Sequence, residues 1–316
     1  MSAPTVRRAT AELFRIYDVA QEIDLIEVER LLAGRGSVGR IRLRRAKPKA
    51  LAFADPPVVT DLVAPPFEVG GQRVEVRASA RIYGFGVVSI SLEAVLPNPV
   101  AWAEFERFAR EAEESAAELP YWSTALAALL EAIAPAMTPG ASVHSVEEEY
   151  AVVVVRELDP PLSAAELTER VDLVPLLTHD AKPLSDSARR DVLRYAHSYY
   201  RDDLVVLTWE RAFVLEPAPD DDIADLLEVA NAQLLELRHY DAVLDDELPR
   251  VYDQAAEVRR LGRFARRRYA RAANQMRALV AEITEITEKV DNALKVTEDV
   301  YLTRVYSSAL ELFRIR

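Results

Sequence analysis

From Asp222 to the C-terminus the sequence carries no strand pattern, and Met276, Leu279, Ile283, Ile286, Val290 and Ala293 recur there at alternating spacings of three and four. That spacing keeps a narrow apolar seam on one side of a helix, and a seam of about three heptads can bury itself only against another helix. Two partners are available: the stretch after Asp222, where Ile223, Leu226, Leu227, Ala230, Leu234, Leu237 and Leu244 stripe one helix face, or a second copy of the chain. The first gives a long coiled-coil-like hairpin, with Pro249 marking a new helix start and Gly262 a break. Residues 220–316 therefore read as a helical arm suited to self-association or to a protein partner.

Residues 1–219 read as an α+β body. Glu12–Val19 and Tyr150–Leu158 have strand patterns, and each precedes a capped short helix, with Asp24 and Glu27 in one and Ser163 and Glu166 in the other. Arg73–Tyr83 and Val87–Val95 flank Gly84-Phe85-Gly86 as a hairpin, and Leu204–Leu215 holds a second one with an internal turn. Asn98-Pro99 predicts a helix start, with helix to about Leu119 and a second from Trp122 to Met137. Strand, capped helix, strands and an acid-capped helix occur twice, in halves of about 1–140 and 141–238. The repetition is consistent with internal duplication, or with chance agreement between two common units.

Composition removes several functions. Lys and Arg number 39 against 52 Asp and Glu, a net charge of -13, so nucleic acid or an anionic membrane could bind only at a local basic patch. Without cysteine there is no disulfide, thiolate nucleophile or thiolate metal site. No stretch approaches the roughly 18 uninterrupted apolar residues of a membrane span, and Met1–Thr10 lacks a signal-like apolar run. A cytoplasmic location is expected. The final Glu311-Leu312-Phe313-Arg314-Ile315-Arg316 has nothing to stop a helix, which suggests a chain cut short or an end that docks. A hydrophobic span beyond Arg316 would place the protein at the cytoplasmic face of a membrane.

Signatures of catalysis are weak. Gly34-Arg35-Gly36-Ser37-Val38-Gly39 matches a dinucleotide fingerprint in letters, but a helix precedes it and a strand follows, the reverse of what pyrophosphate binding needs. It reads as a helix-to-strand turn. His144, His179, His197 and His239 are scattered, and the acids at Asp220–Asp222 and Asp245–Glu247 point in different directions on a helix, so no metal, cofactor or catalytic set is expected. One cluster stands out: Arg259, Arg260, Arg263, Arg266, Arg267, Arg268 and Arg271, interleaved with Phe264 and Tyr269. Arginine pairs bidentately with phosphate and aromatics stack on bases, so RNA or another polyanion is one candidate partner. Pairing with the acids of Asp241–Glu257 is the alternative. Arg40, Arg42 and Arg44 form a cationic strand face that could extend the patch.

The hairpin Arg81-Ile82-Tyr83-Gly84-Phe85-Gly86-Val87-Val88, the later helix Glu228-Val229-Ala230-Asn231-Ala232-Gln233-Leu234-Leu235-Glu236 and a terminal helical pair resemble the family of proteins required for meiotic nuclear division, whose bacterial relatives form a domain of unknown function. The resemblance covers roughly the last two-thirds of the chain. It implies a structural or organising role, with mitochondrial relatives associated with translation, and a membrane segment after the helical pair that this chain does not reach. It supplies no catalytic motif. The sequence thus points to a non-enzymatic interaction or scaffold protein, with polyanion binding as the alternative.

Overall fold

The computed structural model describes residues 2–34, 38–40, 51–53, 55–139, 147–180, 182–219, 221–261, 294–296 and 300–313, together with single positions at 270, 274, 277, 281 and 284. In chain order the main elements are β1 (Thr5–Asp18), α1 (Leu25–Leu32), β2 (Val38–Arg40), β3 (Val58–Leu62), β4 (Val76–Ile82), β5 (Val87–Val95), α2 (Trp102–Ala117) and α3 (Tyr121–Ile133). There follow β6 (Glu147–Asp159), α4 (Ala164–Arg170), α5 (Val174–Thr178), α6 (Asp186–Val192), β7 (Tyr195–His197), β8 (Leu204–Leu207), β9 (Arg211–Leu215), α7 (Asp222–Leu261) and α8 (Val300–Leu312).

One large sheet runs β7-β8-β9-β6-β1-β5-β4-β3-β2, with Val100–Ala101 as a short tenth strand on the start of β1. The fold class is mixed α+β. β1 and β6 form the centre, antiparallel from Thr5 opposite Asp159 to Tyr17 opposite Glu147. A hairpin flanks each: β5 is antiparallel to β1, whereas β9 is parallel to β6. Because side chains alternate across a strand, β1 sends Ala9, Ala11 and Leu13 to one face and Phe14 and Ile16 to the other. Both faces must be covered, and the result is three layers.

The first face packs on α1 to α5, with Trp102, Phe105, Ala109 and Ala112 of α2 and Leu176 and Leu177 of α5 in its core. The second packs on α7 and α8. From Asp222 to Glu236 nearly every residue of α7 is buried, including Leu227, Val229, Ala232 and Leu235, which is the signature of a helix inside a core. The chain division at Asp220 therefore runs through one hydrophobic cluster.

Four readings need correction or relocation. Leu294–Val296, within the stretch read as free of strands, pairs antiparallel with Leu51–Phe53, a distant partner that no local pattern could announce. The helix predicted to start at Asn98-Pro99 starts at Trp102, because Val100 and Ala101 pair with Val6 and Thr5 and the ladder claims the residues the cap would have used. Pro249 does not start a new helix: α7 continues through it to Leu261. Proline costs one backbone hydrogen bond and local strain, which the flanking turns of so long a helix absorb. The seam residues Met276, Leu279, Ile283, Ile286, Val290 and Ala293 lie outside the described residues, and the expected long helical hairpin is not part of the described structure. The described partner of α7 is α8, whose Leu302, Val305 and Ala309 are fully covered. Just past it Phe313 docks against Tyr150 and Trp209.

The expectations at two helix caps and at the hairpin turn hold. Asp24 caps α1 through the N–H groups of Ile26 and Glu27, and Ser163 with Glu166 forms a full capping box on α4. In the β4–β5 turn, Gly86 has φ +95° and its carbonyl accepts from Val19 and Ala20 at 3.0 and 3.2 Å. A methyl group there would sit 1.7 Å from the Ala20 carbonyl oxygen, while one at Gly71, φ +75°, would meet nothing within 4 Å. Gly71→Ala should thus cost about 1–2 kcal/mol from backbone strain alone, and Gly86→Ala at least about 2 kcal/mol more. Urea denaturation of both variants checks this, and equal losses would contradict the packing described.

Candidate functional site

Two polar regions interrupt the apolar layers. The first lies under α7. There β4, β5 and β1 present Arg81, Ser89 and Glu12 to the helix in place of apolar side chains. Arg81 is held by Asp225, at 2.5 Å, and by Glu228, and its side chain is only 13% exposed. Burial pulls the guanidinium down and the Asp225 and Glu228 carboxylates push it up; the second effect wins. Glu228 is pushed up to about 6 by burial, with Arg81 opposing and Asp225 adding to the rise. Burial also drives Glu12 well above the ordinary carboxylate range, against the pull of Arg81 and with the charges of Glu228 and Asp225 adding to the rise. One guanidinium thus faces three carboxyl groups, and burial raises two of them, Glu12 and Glu228. Beside it, a cavity of about 310 Å³ opens between Arg77, Glu93, Asp61 and the Asp221–Asp225 turn.

The same stripe continues along α7. His239 pairs with Asp18, and Glu236, 2% exposed, is pushed up to about 9 by burial and by Asp18, with a Tyr240 hydrogen bond working against it. Gln233 accepts from the Tyr306 hydroxyl of α8 at 2.5 Å.

The second region is a gap in the sheet. The β6–β9 ladder begins with Ala151 opposite Arg211, so the first residues of β6, Glu147 to Tyr150, extend past the end of β9. The gap encloses about 560 Å³, within the range of ligand pockets, and is lined from both sheet faces: Arg15, Trp122 and His179 on one side, Phe14, Tyr150 and Trp209 on the other. Its guanidinium groups are paired. Arg211 makes two bonds to Glu113, at 2.8 and 2.5 Å, and one to Glu210; Arg15 lies over the Trp122 ring and pairs with Glu149 at 2.5 Å. His179, in the left-handed conformation at the end of α5, is held below the usual imidazole range by burial and by Arg211, against the weaker pull of Glu113. Trp209 is 40% exposed and carries Arg238 of α7 over its ring.

Of the residues singled out in the sequence, Arg259 and Arg260 fall in the last turns of α7. Arg263, Arg266, Arg267, Arg268, Arg271, Arg42, Arg44, Asp220 and His144 lie outside the described residues. Arg40 is spent within the fold on Glu29 and Asp55. His197 bonds the Ser308 hydroxyl and His239 belongs to the buried stripe, so the histidines do not meet. Among the described residues no group of His, Cys, Asp and Glu is placed to hold a metal ion, and no helix is long and apolar enough to cross a membrane. Pattern reading missed Arg81, Glu12, Glu236, Arg15, Trp122, Trp209 and Arg211. A signal existed for the first group: Asp225, Glu228, Glu236 and His239 share the helix with its apolar residues at spacings of three, eight and three, so one flank of a core helix is polar.

The fold and these sites define a three-layer α+β protein with a polar interlayer beneath a long C-terminal helix. The chain belongs to the family of the uncharacterized protein MJ0711, N-terminal domain, whose family model matches residues 8–222, more than half of its length. That agrees with a domain of unknown function, and the match ends on the first residue of α7. No curated protein and no solved structure gives a significant match.

Two outcomes follow from the interlayer. Arg81→Met should cost about 3–5 kcal/mol, because two buried carboxyl groups lose their counter-charge; a thermal or urea measurement reads it, and a loss under about 1 kcal/mol would show the cluster to be idle. Glu236 has a folded pKa above its unfolded value. The folded state therefore binds the extra proton between the two, and the stability this proton contributes is full below the unfolded value and falls as pH rises toward about 9. Glu236→Gln should remove a slope approaching about 1.4 kcal/mol per pH unit between pH 6 and 9. Unchanged slopes in the two proteins would contradict this.

Proposed function

We propose that this protein is a non-enzymatic interaction or scaffold protein that self-associates or engages a protein partner through its C-terminal helices. The observation that supports this is the anchoring of α7. Its first turns are buried within the body, and from Val243, buried at 8% exposure, the helix continues to Leu261, about 27 Å at 1.5 Å per residue. A helix fixed at one end in a core presents the residues at its other end in a defined direction. The organising role implied by the resemblance to proteins required for meiotic nuclear division is of the same kind. Polyanion binding through Arg259–Arg271 is the alternative that the charge pattern supports.

The test leaves α7 in place, since removing it would uncover the sheet. Light scattering on the full chain should give a mass above that of one chain, and Leu279→Glu with Ile283→Glu should return it to one chain without loss of helix signal. A single-chain mass in both proteins rejects self-association. For the alternative, RNA binding that weakens steeply with salt and vanishes on replacing Arg263, Arg266 and Arg267 would favour polyanion recognition instead.

A further inference from the structure

We propose that the gap beside β6 is a docking site for an extended basic peptide segment of a partner protein, which adds a short strand to the free edge of β6 and sets lysine or arginine side chains against the carboxylates around it. This goes beyond the helical-arm reading and does not depend on it, because every group involved lies in the body or on the buried part of α7.

The backbone supports strand addition. The Ala151 N–H donates to the Glu210 carbonyl at 3.1 Å, so the groups of β6 at 151 point toward β9. With a period of two, the N–H and C=O groups of Glu149 and Glu147 point the same way, past the end of β9, where no described strand lies. A strand edge left unpaired among the described residues is what a peptide strand completes in β-augmentation. Four residues of edge span about 13 Å at 3.3 Å per residue, enough for two pairing positions. That the cavity is lined from both faces of the sheet follows from the same missing strand. A peptide lying there would send alternate side chains to the two faces.

The charge supports a basic sequence. Five carboxylates line the gap against two guanidinium groups, with a third, Arg238 of α7, at its mouth, and all three guanidinium groups are already paired within the fold. Glu149 and Glu210 keep 54% and 67% of their side chains exposed, so each retains acceptor capacity beyond its arginine. Burial and Arg211 hold His179 below the usual imidazole range, which limits the positive charge it can add. An anionic ligand would meet net repulsion, and a small amine would gain the charge contacts without the backbone ladder.

The experiment uses the full chain at low salt and the peptide acetyl-Val-Lys-Val-Lys-Val-amide, followed by calorimetry. The peptide should bind at least about tenfold more tightly than the same peptide with both lysine nitrogens of the backbone methylated, and than spermidine. Glu149→Gln combined with Glu210→Gln should weaken it about tenfold, while Glu157→Gln, on the exposed far end of β6, should not. Spermidine binding as tightly as the peptide would make this a small-cation site and overturn strand addition. Equal binding of the methylated peptide would do the same. No binding at low salt, or binding indifferent to Glu149 and Glu210, would remove the site altogether. None of these outcomes bears on the mass measured by light scattering, so the two proposals fail separately.

Discussion

The pairing of β1 with β6 is the constraint from which the remaining architecture follows. Two strands of this length at the centre of a sheet bury side chains on both faces, and neither face can be left to water. The duplicated need for cover explains why the chain supplies short helices before β7 and a long one after β9. It also fixes where the sheet is incomplete. β9 is parallel to β6 and pairs with only its middle residues, whereas β1 pairs with β6 over nearly its full length. A short partner on one side and a long one on the other leaves Glu147–Tyr150 without a strand on the β9 side among the described residues.

The interlayer under α7 looks costly in isolation, since buried ion pairs often contribute little net stability. Its geometric content is larger than its energetic content. Asp225 and Glu228 are one turn apart and reach a single guanidinium, which they can do at only one axial position of the helix on the sheet. Asp18 and His239 make a second pin several turns further on. Apolar surfaces slide over one another at modest cost. Two polar pins along one helix do not, so α7 has one register on the sheet.

Strand and helix positions were legible where the pattern was local. The hairpin at Gly84–Gly86, the caps at Asp24 and Ser163 and the core strand around Val152–Val155 depend on near neighbours in sequence, and the structure has all of them. The start of α2 was misread because Val100 and Ala101 are claimed by Val6 and Thr5, a partner some ninety-five residues away. Pro249 was misread because a local breaker was given more weight than the length of the helix around it. The sites were nearly invisible for the same reason: Arg15 meets Glu149, Arg211 meets Glu113 and Arg81 meets Glu228 across separations of roughly a hundred residues or more. A polar residue inside a strand or a core helix signals that a partner exists, and gives no hint of which residue it is.

The two polar regions are not independent. Arg238, on α7 one residue before the His239 pin, pairs with Glu148 of the open β6 edge and lies over Trp209 at the mouth of the gap. Trp209 in turn contacts Phe313 just beyond α8. The wall of the gap is thus built partly from the helical layer, and a side chain entering beside Trp209 meets residues held in place by α7 and by the end of α8. A shift of α7 by even part of a turn would carry Arg238 away from Glu148 and leave that carboxylate uncompensated at the edge. The pins that fix the long helix therefore also set the charge and shape of the gap, so the body and the helix anchored in it act as one mechanical unit.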